Sequence, residues 1–236
     1  MTTFATTAGS GAPEPAPEPA PGRLQAVLLD MDGTLVETEE LWWEAESGLL
    51  ADLGHPLDER ERKVVVGGPM DRVVDHLLAV TGLDLSPRRL GPMINDRFVE
   101  LIAQGAPLRA GAKALLEELT AAGVPTALVS ASHRETIELM LRSLGAHHFR
   151  VTVAGDEIER TKPWPDPYLE AARRLGVDPA ACAVVEDSPT GVHSAEAAGC
   201  RVVAVPSVAE ILPAPGRLVR GSLTEVNLAL LRSLVG

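Results

Sequence analysis

Residues 24–34 read LQAVLLDMDGT. The stretch from Leu24 to Leu29 is a short, largely apolar run that ends in Asp30, the pattern of a parallel strand buried on both faces. In extended backbone, residues i and i+2 point to the same side, so Asp30 and Asp32 face one site while Met31 turns to the core. Two carboxylates this close repel each other unless a cation or a proton compensates. Gly33 permits a sharp turn whose free backbone N–H groups suit anionic oxygens. Taken alone, the segment reads equally well as a solvated acidic turn.

Working outward, 125–130 (PTALVS), 181–186 (ACAVVE) and 201–205 (RVVAV) share the apolar character of 24–30. Helical patterns lie between them at 111–122, 133–144, 166–175 and 189–198, each followed by a glycine: Gly123, Gly145, Gly176 and Gly199. Glycine suits the left-handed residue that closes a helix. Alternating strands and helices imply right-handed crossovers. The expected fold is therefore α/β, a doubly wound, Rossmann-like parallel sheet over 23–37 and 110–236, with ligands at the carboxyl ends of its strands. Residues 38–109 break the rhythm, with helical patterns at 41–53, 69–81 and 88–104 and no clear strand. They are expected to form an inserted helical cap over those strand ends. The last segment, 223–235, reads as one more amphipathic helix.

The chain has 236 residues, 45% of them hydrophobic and only 3% aromatic, so Leu, Val and Ala must build the core. Residues 1–22 carry the run APEPAPEPAPG, with little to bury, and are expected to be a disordered tail. The formal net charge of -12 argues against nucleic-acid or anionic-membrane partners, whose affinity comes from basic patches. No apolar run approaches the roughly 20 residues that span a bilayer. The N-terminus lacks a basic region followed by an apolar run, so a cytoplasmic protein is expected. Cys182 and Cys200 lie in apolar runs and read as two reduced core thiols.

Three further features join the Asp30–Asp32 pair. Ser130 ends the run TALVSAS, Lys162 lies in RTKPWPDP ahead of a helix, and Glu186-Asp187-Ser188 ends AVVEDS. Singly, each has an ordinary reading as a helix cap, a surface charge or an acidic helix start. Together they set carboxylates, a hydroxyl and a lysine at successive strand ends of one sheet. DMDGT, the LVSAS serine, the TKP lysine and VVEDS, in this order between about residues 24 and 207, resemble the four motifs of the haloacid dehalogenase superfamily. The resemblance is to the branch holding phosphoglycolate phosphatases, sugar-phosphate phosphatases and β-phosphoglucomutases, and the helical insertion sits where that superfamily's first type of cap sits.

The resemblance implies a Mg²⁺-dependent phosphatase acting on a small phosphorylated metabolite. Asp30 would attack phosphorus and become an aspartyl phosphate. Asp32 would protonate the leaving oxygen and then deprotonate water. Mg²⁺ would bind the Asp30 carboxylate, the Asp32 carbonyl and Asp187, with Glu186 a further or outer ligand. Ser130 would donate to a phosphoryl oxygen, and Lys162 would offset charge there. The turn of Met31, Gly33 and Thr34, together with the Ala131 amide, would cradle the phosphoryl group. The superfamily's dehalogenases lack the second aspartate, so Asp32 favours phosphoryl transfer.

Other readings compete. A phosphomutase of the β-phosphoglucomutase kind would carry a His on the first cap helix and an Arg in the cap loop, where this chain has Trp42 and Met70. A phospho-receiver would place its acidic pair and its phospho-acceptor on different strands, with no large insertion in its first crossover. A protein-binding relative without catalysis has no feature in its favour. In the cap loop Gly67 allows close approach to a ligand and Arg72 could reach an anionic group; Arg134 follows the Ser130 strand and is a further substrate-binding candidate. The expected assembly is a monomer or a homodimer.

Overall fold

The computed structural model describes residues 23–66 and 70–236. The proposed tail and Gly67 lie outside the described residues.

Strand β1 (Ala26–Leu29) is completely buried, and its side chains alternate between two separate apolar clusters. Val27 and Leu29 enter one, Ala26 and Leu28 the other. This is the two-sided burial that a continuous apolar run requires, because helices cover both faces of a parallel sheet. β2 (Thr126–Val129) and β4 (Cys182–Glu186) flank β1 in parallel, with Leu29 opposite Leu128 on one side and Val185 on the other. β5 (Arg201–Ala204) extends the sheet beyond β4.

Among the described residues the sheet has six strands, in the order β3-β2-β1-β4-β5-β6. The outer two, β3 (Val151–Val153) and β6 (Arg217–Val219), were not marked by the sequence. Each has three residues and is mostly half-buried, so it lacks the long apolar run that betrays a central strand.

Among the described residues four helices lie between β1 and the next core helix: α1 (Thr38–Asp52), α2 (Glu59–Val65), α3 (Met70–Thr81) and α4 (Pro87–Ala103). α2 was not anticipated. Its charged ERERK start hides any apolar face, and it forms on a cap: Asp58 accepts from the Arg60 amide at 2.7 Å while Glu61 accepts from the Asp58 amide at 3.2 Å. Leu50, Leu77, Leu90, Ile94 and Phe98 join these helices to the Val27/Leu29 cluster.

The remaining helices are α5 (Ala112–Ala121), α6 (Arg134–Leu144), α7 (Asp166–Leu175), α8 (Pro189–Ala197) and α9 (Leu228–Val235). α5, α6 and α9 pack on the Val27/Leu29 face, and α7 and α8 on the opposite face. The final helix is shorter than the pattern 223–235 suggests. Asn227 caps it through the Leu230 amide at 2.9 Å, and a separate 3₁₀ turn precedes it. Cys182 and Cys200 are buried and unpaired, and burial pushes both thiols up to about 12, which suits inert core residues. Among the described residues no helix is long and apolar enough to cross a membrane.

Candidate active site

The carboxyl ends of β1, β2 and β4 bring the sequence candidates together. Asp30 follows β1 directly and is held by its amide, which donates to the Val185 carbonyl at 3.1 Å. Its side chain is almost buried, so its charge needs partners. Lys162, from the loop before α7, supplies one. Its ammonium donates to Asp30 Oδ1 at 2.6 Å, to Glu186 Oε1 at 2.7 Å and to the Val129 carbonyl at 3.0 Å. These three acceptors use all three N–H groups and aim the ammonium at the end of β1. Burial works against the lysine's charge, but the Asp30 and Glu186 carboxylates outweigh it and hold the pKa above its ordinary value.

Glu186 is fully buried and its oxygens are saturated. Oε1 accepts from Lys162 and from the Tyr168 hydroxyl at 2.8 Å. Oε2 accepts from the amides of Asp187 and Ser188 at 3.0 and 3.2 Å and from the Ser188 hydroxyl at 3.1 Å. A carboxylate with this many donors is an anchor for Lys162 and the β4 turn. Gly191, in the first turn of α8, is required by this arrangement: a Cβ there would lie 1.7 Å from Glu186 Oε1.

Asp32 is held differently. Ser130 Oγ and Ser132 Oγ donate to its Oδ2 at 2.8 and 2.9 Å, and the Ser132 amide donates to Ser130 Oγ at 2.9 Å. Burial raises the Asp32 carboxyl above its ordinary value, and the two serine hydroxyls only partly offset that. A carboxyl that keeps its proton more readily can deliver it. Ser130 thus contacts Asp32 in this structure, where the sequence reading had it facing a phosphoryl oxygen.

Gly33 has φ +73°, and a Cβ there would meet Asp187 Oδ2 at 2.1 Å, so only glycine fits the turn. Its amide is not free as expected, because it donates to the Val36 carbonyl at 2.9 Å; the Thr34 amide donates to the Met31 carbonyl at 3.3 Å. The Met31 and Ala131 amides have no backbone acceptor among the described residues. The Met31 side chain is in the core, and the Thr34 hydroxyl is buried without a partner.

Asp30, Glu186 and Asp187 each place one oxygen within 4.8 Å of the others. Three buried carboxylates around one ammonium leave an excess of negative charge. Burial raises Asp30 well above the ordinary range, and burial and Glu186 push Asp187 up to about 6. Asp30 Oδ2 is buried with no hydrogen-bond donor. The Ser207 hydroxyl takes Asp187 Oδ2. Hard oxygen donors with unspent lone pairs and surplus negative charge fit a divalent cation, and the openings lie on Asp30 and Asp187, since Glu186 is saturated.

Above this site lies a cavity of about 720 Å³, bounded by α1, α3, α4 and the loop leading into α6. Ser132 and Ala131 belong to its wall, which joins it to the Asp32 network. Trp42 also lines it, stacked on Phe98 with ring centroids 3.6 Å apart, and so does Met70. Two expected substrate-binding candidates are not among the residues that line the cavity. Arg134 turns away to Glu157 Oε1 at 2.7 Å and Thr152 Oγ1 at 2.7 Å, and Arg72 is exposed on α3 outside the cavity. The acidic Glu157 beside α6 holds the first; the register of α3 decides the second.

Sequence reasoning missed Ser132, Tyr168, Arg109 and Ser207. Ser132 stands two residues beyond Ser130, the same spacing that singled out Asp30 and Asp32. Tyr168 is the chain's single tyrosine, six residues after Lys162, and this was a usable signal. Arg109 reaches the Gly33 carbonyl and pairs with Glu37 at 3.2 Å, bracing the turn across the two crossings into and out of the helical segment. Nothing local marks Arg109 or Ser207.

The sequence profile of the haloacid dehalogenase-like hydrolases matches residues 27–205. The chain belongs to this family. Within it, the chain is 30% identical over 188 residues to hexitol phosphatase B of Escherichia coli (strain K12), covering 78% of this chain and 85% of that protein. It is 36% identical over 191 residues to the bifunctional riboflavin kinase/FMN phosphatase of Arabidopsis thaliana, a match that covers 77% of this chain and spans only 48% of that longer protein. The crystal structure of a CbbY variant from Rhodobacter sphaeroides in complex with xylulose-(1,5)bisphosphate superposes with TM-score 0.72 and 30% identity, covering 88% of this chain and 99% of that one. The parallel sheet, the interposed helices and the acidic cluster at the strand ends are thus those of a haloacid dehalogenase-like hydrolase.

Proposed function

We propose that this chain is a Mg²⁺-dependent phosphatase that hydrolyses a small phosphate monoester, a sugar phosphate or similar metabolite, through an aspartyl phosphate on Asp30. The observation that carries the reading is the division of labour between two neighbouring carboxylates. Asp30 is paired to Lys162 and shares the carboxylate cluster with Glu186 and Asp187, whereas Asp32 lies outside that cluster and is held by two serine hydroxyls. One is set up as a nucleophile, the other as an acid.

In the first step an Asp30 oxygen attacks phosphorus, the bond from phosphorus to the ester oxygen breaks, and Asp32 passes its proton to that oxygen. In the second, water attacks phosphorus, Asp32 takes a proton from it, and the bond to Asp30 breaks. Lys162 stays charged throughout and compensates the phosphoryl group and Asp30. Asp30 and Asp187 would hold Mg²⁺, with the Asp32 carbonyl; bound there, the ion supplies positive charge to the phosphoryl oxygens. In this reading residues 38–109 act as a cap over the core formed by 23–37 and 110–236, and the cavity receives the leaving group. The presence of Trp42 and Met70 in the cavity wall supports hydrolysis over mutase chemistry, since neither can hold a second phosphate by charge.

The test is release of inorganic phosphate from a panel of small esters with Mg²⁺, with Asp30→Asn as control. Release by the wild type alone supports the reading. Isomer formation from a hexose 1-phosphate, faster than phosphate release, would replace it with a mutase.

A further inference from the structure

The wall of the cavity carries four carboxylates and, among the described residues, one imidazole, that of His133. Glu39, Glu46, Asp96 and Glu135 line it, and no lysine or arginine does among the described residues. The sequence of 1–22 and 67–69 contains neither residue type. The nearby arginines are engaged elsewhere: Arg62 with Glu40, Arg109 with Glu37 and Arg134 with Glu157. A second phosphate or a carboxylate on the substrate would enter this space against four carboxylates with only the His133 imidazole to offset it, a costly burial of like charges.

Glu46 shows what the cavity does suit. It lies on α1 and is 4% exposed, yet its carboxyl has no hydrogen bond or ion pair among the described residues. Buried polar groups in folded proteins are nearly always hydrogen-bonded, so one facing a cavity marks a place for a donor. Burial, reinforced by Glu39, pushes its carboxyl up to about 7. Ser132, Thr136 and Asn95 share the wall and offer donors as well as acceptors. Hydroxyl groups match such a mixed lining on both counts. An ammonium group donates only and leaves the donors of the wall unmet.

We propose that Glu46 selects the leaving group by accepting hydrogen bonds from its hydroxyls, so that the preferred substrates are monophosphates of uncharged, polyhydroxylated molecules and not bisphosphates or phosphocarboxylates. This rests on the phosphatase reading above and distinguishes the chain from a relative crystallised with a bisphosphate.

The experiment measures kcat/KM with Mg²⁺ for sorbitol 6-phosphate, fructose 1,6-bisphosphate, phosphoglycolate, phosphoethanolamine and p-nitrophenyl phosphate. Sorbitol 6-phosphate should exceed the bisphosphate and phosphoglycolate by about a hundredfold or more, the scale reached when a wrong partner leaves polar groups unpaired. Glu46→Leu should lower the ratio of sorbitol 6-phosphate to p-nitrophenyl phosphate by about tenfold, mainly through KM. Glu46→Gln, close in shape and able to fold where Leu fails, should lower the ratio of sorbitol 6-phosphate to fructose 1,6-bisphosphate by about tenfold as the anion is tolerated better. Preference for the bisphosphate, phosphoglycolate or phosphoethanolamine, or ratios that both variants leave unmoved, would overturn the assignment while p-nitrophenyl phosphate is still cleaved. No release even from p-nitrophenyl phosphate would overturn the phosphatase reading and this inference with it.

Discussion

Asp30 and Asp32 are two residues apart and carry the same side chain, yet their surroundings give them different chemistry. Asp30 faces an ammonium, and Asp32 faces hydroxyls. Asp30→Asn replaces the proposed nucleophile with an amide and should cut phosphate release by about a thousandfold or more. The same change removes one of three crowded buried carboxylates, so its melting temperature without Mg²⁺ should stay at or above that of the wild type. A large drop in melting temperature would mean that Asp30 is needed for the fold and would spoil it as a catalytic probe. Tyr168 works one layer back, through Glu186. Tyr168→Phe removes one donor from a buried carboxylate and should cost about 1–3 kcal/mol in denaturant unfolding. Its effect on kcat should be smaller than that of Asp30→Asn, because Lys162 keeps all three of its acceptors.

Helix α1 carries a conflict between stability and binding. Glu46 is buried on it, and its pKa is raised from 4.5 to about 7 by burial and then by Glu39. Between those values the folded protein holds a proton that the unfolded chain has released, so stability falls as pH rises through this window. Each pKa unit is worth about 1.4 kcal/mol, so the loss by pH 8 is about 3 kcal/mol. Glu46→Gln is neutral in both states. Its stability advantage over the wild type should therefore be absent near pH 4, grow between about pH 4.5 and 7 and level off by pH 8 in unfolding measured across that range. A constant difference would show that Glu46 does not titrate as described. At the start of α8 the constraint is steric. Gly191→Ala places a Cβ against Glu186 and should destabilise by about 1–3 kcal/mol, the usual cost of overpacking. Lys162 is aimed by the displaced carboxylate, so activity should fall with it.

At the scale of the whole molecule, the buried charges at the strand ends are unbalanced. Asp30, Asp187 and Glu186 share one lysine. A cation that binds only the folded state stabilises it by mass action, by about 2.7 kcal/mol at a hundred times its Kd. Mg²⁺ should therefore raise the melting temperature, and EDTA should reverse the rise and abolish phosphate release together. Asp187→Asn should raise the melting temperature without Mg²⁺ and flatten the Mg²⁺ response. An unchanged response in that variant would place the ion elsewhere. Since Glu186 is saturated by five donors, it is the partner whose loss should disturb Lys162 more than metal affinity.

The central strands, the helices with their closing glycines and the motif residues Asp30, Asp32, Ser130, Lys162, Glu186 and Asp187 were legible in the sequence. Each depends on a local rule: a two-sided apolar run, a 3.6-residue period, or a polar residue at a strand end. The short edge strands β3 and β6 were not legible, because half-buried runs of three residues carry almost no periodic signal. Function was legible where one strand end holds several groups at fixed spacing. It was illegible where distant segments meet. Arg109 braces the Gly33 turn, Ser207 reaches Asp187, and Glu186 rather than Asp187 is filled by donors; all three follow from crossovers that bring remote residues together. The tertiary structure also turned Arg134 and Arg72 away from the cavity and left Glu46 facing it. Sequence alone determined the chemistry, since the order and spacing of the motifs specify the strand ends. Only the packing of the helices against those ends decided the charge of the space above them, because which side of a helix faces a cavity is set by what covers its other side.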